Sequence, residues 1–96
     1  MSERTDKIKN AVEQKIGGRA THVTSTPVIE RFRGKMIWDG VVETFDLALN
    51  PKAKRCYAWS YEENGETQYV TILGVPPVDS PEWAVKTFIA SNIQRA

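Results

Sequence analysis

Cysteine is nearly absent from this chain: Cys56 stands alone. That excludes an internal disulfide and any zinc site built on several thiolates. No apolar run approaches the ~18 residues a membrane-spanning helix requires. The opening residues Met1-Ser2-Glu3-Arg4-Thr5-Asp6 are polar and have no apolar stretch behind them, so they do not read as a secretory signal. A surplus of charge of one sign is missing too, with 13 Lys and Arg against 12 Asp and Glu and a net charge of +1. Dedicated duplex binders usually carry a larger basic excess, because phosphate neutralisation supplies much of their affinity. Nucleic acid is therefore not the expected partner. There is no glycine-rich phosphate loop either: Gly17-Gly18 follows a helical stretch instead of opening one, the wrong polarity for an anion site at a helix N-terminus. These gaps point to a cytoplasmic, reducing setting, with no membrane association and no cofactor.

What remains is ordinary for a globular chain: 96 residues, 41% hydrophobic and 26% charged. A single domain spanning residues 1–96 is expected, and a chain of this size buries roughly two thirds of its unfolded surface on folding. The richest stretch runs from Met36 to Trp59. It reads Met36-Ile37-Trp38, Asp39-Gly40, then Val41 to Leu49, and after Asn50-Pro51 it returns as Cys56-Tyr57-Ala58-Trp59. β-Branched and aromatic residues of this kind fit the middle of an antiparallel sheet.

Around that centre the elements follow in order. Ile8, Ala11, Val12 and Ile16 fall at helical spacing over residues 3–16, with Ser2 or Thr5 as cap and Gly17-Gly18 as stop. Residues from Ala20 to Phe32 form a first strand whose Pro27 marks an edge or a bulge. Arg33-Gly34-Lys35 is a turn. Asp39-Gly40 is a two-residue hairpin signal, but a hairpin there leaves only Met36 to Trp38 as a strand. One long second strand with a bulge or close approach at Gly40 is the preferred of the two readings. Lys54 to Glu62 and Thr67 to Gly74 make a third and a fourth strand. If Asn64-Gly65 is a two-residue turn, Trp59 faces Val70, Ala58 faces Thr71 and Tyr57 faces Ile72. Ser80-Pro81-Glu82 opens a last helix, whose apolar face is Val85, Phe88, Ile89 and Ile93. The fold class is α+β, ordered α-β-β-β-β-α: a four-stranded antiparallel meander with both helices packed on one face. This order resembles the α-β-β-β-α of the double-stranded-RNA-binding domain with a strand added. The final helix departs from that family, opening on Ser80-Pro81-Glu82-Trp83 where the family has a basic stretch.

No constellation announces catalysis. His22 and Cys56 could form a dyad only if the first and third strands met, and a meander puts the second between them. Cys56 reads as an inert small residue of the sheet, and His22 as a surface residue near a strand start. Asp39 and Glu43, four apart on one strand, lie roughly 13 Å apart and read as solvated carboxylates. The aromatics are more suggestive, since sheet aromatics beside basic residues can stack single-stranded bases. Trp38, Tyr61 and Tyr69, with Lys52, Lys54 and Arg55 nearby in sequence, are the candidate binding face.

The sequence-level reading is a non-catalytic soluble domain that acts through a protein partner or its own copy. The strand at 67–74, free of proline and charge, is its candidate homodimer surface, the alternative being that the Val75 to Asp79 connector and the last helix fold back to cover that edge. The alternative is a single-stranded nucleic-acid or small-ligand binder using an open sheet face.

Overall fold

The computed structural model describes residues 2–95, with side chains described through residue 91. Helix α1 spans Glu3–Ile16. The Ser2 hydroxyl caps it by accepting the Thr5 N–H, and Gly17 ends it in the left-handed conformation at φ 71°. Four strands follow: β1 (Ala20–Phe32), β2 (Lys35–Leu47), β3 (Arg55–Glu63) and β4 (Glu66–Leu73). They form one antiparallel sheet in the order β1-β2-β3-β4. Helix α2 (Pro81–Arg95) follows the connector, its first turn capped by the Ser80 hydroxyl, which accepts the Trp83 N–H at 3.2 Å. The contribution expected of Ile93 lies outside the described side chains. Among the described residues no helix is long and apolar enough to cross a membrane.

Two tight turns fix the registers. Asn64 and Gly65 both have positive φ (54° and 79°), as do Arg33 and Gly34 (53° and 79°). That is the pattern of a type I′ turn, whose twist matches the flanking strands. Trp59 pairs with Val70, Ala58 with Thr71 and Tyr57 with Ile72, the pairing that counting from Asn64-Gly65 requires. The second strand is one long element, as expected. The Trp38 indole lies directly over Gly40, where a Cβ would meet the ring at 2.9 Å. The bulge itself sits elsewhere: the β1–β2 register shifts between Glu30 and Arg31, leaving Ile37 as the extra residue.

The helices do not share a face, and here the expected packing is corrected. Ile8 and Val12 of α1 pack with Ala20, Phe45, Leu47, Cys56 and Ala58. Ala84 and Val85 of α2 pack with Val28, Val42, Tyr57, Trp59 and the connector residue Val78. Neighbouring residues of a strand point to opposite sides. Cys56 and Ala58 therefore lie under α1, and Tyr57 and Trp59 under α2. The physical reason is legible in β3, where Cys56, Tyr57, Ala58 and Trp59 are all buried. A strand that is apolar on both sides needs a cover on both, and the result is three layers with the sheet in the middle.

The sheet is also forked. β2 meets β3 through Glu43–Asp46 against Arg55–Ala58, with one more backbone bond from the Leu47 N–H to the Lys54 carbonyl at 2.8 Å, while β1 and β2 pair along nearly their whole length. Beyond that short seam the two hairpins diverge.

A strand edge and a buried carboxylate

The candidate face expected from sequence is not assembled in the structure. Trp38 is half-buried and edge-on to Trp59, with ring centroids 5.4 Å apart, so it belongs to the core under α2. Tyr61 lies on that same side, 6.2 Å from the Phe88 ring, with its surface 37% exposed. Tyr69 pairs with Ser60 and so faces the α1 side. Lys52 and Lys54 are exposed in the loop after β2, where the Asn50 side chain accepts the Lys52 and Ala53 N–H groups. Arg55 opens β3 and binds Asp46 across the seam at 3.0 Å. The aromatics are thus split between two faces, and the basic residues sit at the opposite end of β3 from Tyr61.

What the structure does offer is an open edge. Glu63 pairs with Glu66 across the two-residue turn, and in such a hairpin the turn-closing pair exchanges backbone hydrogen bonds. Alternation then turns the backbone groups of Glu66, Gln68, Val70 and Ile72 inward to β3. The Gly74 N–H, bonded to the Arg55 carbonyl at 2.8 Å, continues that phase. Thr67, Tyr69, Thr71 and Leu73 must therefore point their N–H and C=O groups outward. After β4 the Val75 N–H turns back onto the Leu73 carbonyl at 2.9 Å. Val78 is buried under α2, so the connector crosses the face of the sheet and, among the described residues, leaves the edge uncovered. The opposite edge, β1, carries Pro27 and a second bulge at Val23, both of which hinder strand addition.

The second feature is a carboxylate that sequence reading placed in solvent. Glu43 is only 1% exposed, a correction with a clear local cause. The register shift between His22 and Thr24 makes Val23 an extra residue in β1. His22 and Ser25, three apart and on opposite faces of any regular strand, are thereby brought to the same side. Both reach Glu43: His22 Nε2 lies 2.8 Å from Oε1, and the Ser25 hydroxyl donates to the same oxygen. From α1, Arg4 Nη1 donates to Oε2 at 2.5 Å. Its Nη2 donates to the Val41 carbonyl at 3.0 Å, just beyond the last residue of β2 that pairs with β3. Arg4 thus caps the fork. Burial pushes the Glu43 pKa up, but hydrogen bonds from Ser25, Arg4 and His22, with the Arg4 charge, outweigh it and hold the carboxyl below its ordinary range.

Serine, histidine and an acid invite comparison with a hydrolytic triad. In that arrangement the imidazole uses one nitrogen for the acid and the other for the hydroxyl. Here Nε2 faces both, 2.8 Å from Glu43 and 3.4 Å from Ser25 Oγ, while the serine gives its proton to the carboxylate. The set therefore holds a buried charge and does not relay a proton from Ser25 through the ring. Cys56 is on the same side but across Phe45, which pairs with both His22 and Cys56. Burial pushes its thiol up to about 12, leaving it protonated and unreactive. Among the described residues no group of three His, Cys, Asp or Glu side chains could hold a metal ion. Compared with protein-family models, curated proteins and solved structures, the chain matches none.

Proposed function

We propose that this chain is a non-catalytic interaction domain that works by strand addition at β4, with its own copy as the partner. One observation carries the reading: Thr67, Tyr69, Thr71 and Leu73 present their backbone groups on an edge that, among the described residues, neither helix nor connector covers, and of these groups the Leu73 carbonyl accepts the Val75 N–H. An added strand satisfies those groups, and side chains that alternate between the faces supply selectivity. β4 has no proline, and its one charged residue, Glu66, lies at the turn. The devices that ordinarily protect an edge are missing.

Sedimentation velocity across a concentration series tests this, with dimer expected to accumulate as concentration rises. Thr71→Pro should abolish association and leave the circular dichroism of the fold intact. Proline removes an outward N–H there, and edge strands accommodate it at such positions. Wild-type protein that stays a single monomeric species at high concentration would sink the proposal.

The alternative, base stacking or ligand binding on an open sheet face, has less to stand on. Each face carries a helix. Titration of labelled single-stranded and duplex oligonucleotides at physiological salt should show no micromolar binding. Micromolar affinity with a steep salt slope would restore that reading.

A further inference from the structure

We infer that the second copy of β4 lies antiparallel to the first, about a two-fold axis that passes through Val70. This rests on the self-association proposed above and adds its geometry. A closed dimer of identical chains uses the same patch twice, so a given axis dictates every pairing. With the axis at Val70, Thr67 meets the partner's Leu73 and Tyr69 meets the partner's Thr71. All four outward-facing residues then lie opposite one another as hydrogen-bonded pairs, with the Leu73 carbonyl, which already accepts the Val75 N–H, using its second lone pair. Moving the axis to Tyr69 would set Leu73 against the partner's Gly65, which belongs to the turn. Moving it to Thr71 would set Thr67 against the partner's Val75, whose N–H is already given to Leu73. Only the central axis uses the whole edge.

Side chains agree with this axis on both faces. On the α2 side, Val70 meets its own copy and Gln68 meets the partner's Ile72, so the half-buried Val70 and Ile72 extend one apolar layer into the next molecule. On the α1 side a groove runs between helix and edge. Glu3, Arg4 and Lys7 line it near Thr67 and Tyr69, and Lys15 with Ile16 lines it near Thr71 and Leu73. Helix α1 therefore runs in the same sense as β4. The two-fold sets the two copies of this helix antiparallel across the groove, with their dipoles favourably opposed.

Cysteine cross-linking reads the axis directly. Val70 faces itself in a non-hydrogen-bonded pair, where Cα atoms lie about 4.5 Å apart, within the range a disulfide spans. The native Cys56 is buried and protonated, so it contributes little background. Under mild oxidation, Val70→Cys should form covalent dimers several-fold faster than Tyr69→Cys or Thr71→Cys, as read on non-reducing gels. An equimolar mixture of Gln68→Cys and Ile72→Cys proteins should give the mixed dimer in preference to either homodimer, and it reports on the same axis if Val70→Cys fails to fold. A wild-type dimer in which Tyr69→Cys or Thr71→Cys cross-links fastest overturns the axis but not the association. A wild-type protein that remains monomeric overturns both.

Discussion

Trp59→Ala should lower the free energy of unfolding by about 3–5 kcal/mol, the usual cost of truncating a large core aromatic. Trp59 is 1% exposed and packs edge-on between Trp38 and Phe88, at 5.4 Å to each ring centroid. It joins the fork of the sheet to α2, because Trp38 lies on β2, Trp59 on β3 and Phe88 on the helix. Its removal leaves a cavity that Gly40 and Trp38, already in close contact, cannot readily fill. Trp59→Phe keeps most of the ring volume and should cost clearly less. Urea melts of the three proteins give the comparison directly. A loss below about 1 kcal/mol for the alanine variant would mean that α2 does not seal this side of the sheet.

The second large effect belongs to Glu43. Arg4→Ala removes one partner of a buried carboxylate and also uncovers the Val41 carbonyl. Leaving a buried polar group without its partner costs about 1–3 kcal/mol, and more when that group is charged. The half-exposed position of Arg4, with 42% of its side chain accessible, keeps the expectation inside that range. The pH dependence follows from the direction of the shift. The folded pKa of Glu43 lies below its ordinary value, so the native state favours the ionised form. The resulting stabilisation is fully present above the unfolded-state pKa and is lost as pH falls through the folded one. Stability measured from pH 7 down to pH 3 should therefore fall more steeply in wild type than in Glu43→Gln. Parallel curves for the two proteins would show that folding does not lower the Glu43 pKa.

Much of the architecture was legible because single dipeptides decide it. Asn64-Gly65 admits one tight turn, and from that turn the β3–β4 register is obtained by counting. The sidedness of the helices was harder to read. Cys56-Tyr57-Ala58-Trp59 is a short apolar run, and such a run marks a strand covered on both sides as well as one covered on a single side. The small residues Cys56 and Ala58 gave little hint that α1 lies on them. The Glu43 centre was hidden for a different reason. Alternation sends His22 and Ser25 to opposite faces, and only the extra residue at Val23 reverses that. Nothing in Thr21-His22-Val23-Thr24-Ser25 announces the bulge. The one available signal was two acids, Glu43 and Asp46, embedded in the apolar run from Val41 to Leu49, and nothing in it singles out the buried one. The aromatic candidates failed because nearness in sequence does not place residues on one face: Tyr61 and Tyr69 come from adjacent strands yet point to opposite sides.

The forked sheet bears on how such a chain finds its structure. Each hairpin closes through a two-residue turn, so most strand pairing joins residues close in sequence, and the entropic cost of closing each loop is small. The seam of Glu43–Asp46 against Arg55–Ala58 is bridged by the longer loop over residues 48–54, and past it the hairpins need no mutual strand pairing. Local pairing within a hairpin goes with fast folding. The helices supply the distant contacts, α1 on Cys56 and Ala58 and α2 on Val28 and Val42, and Arg4 reaches across most of the first half of the chain to Val41 and Glu43. The first turn of α1 thus makes the most sequence-distant polar contact of the α1 side, and it closes over hairpins that can already be formed.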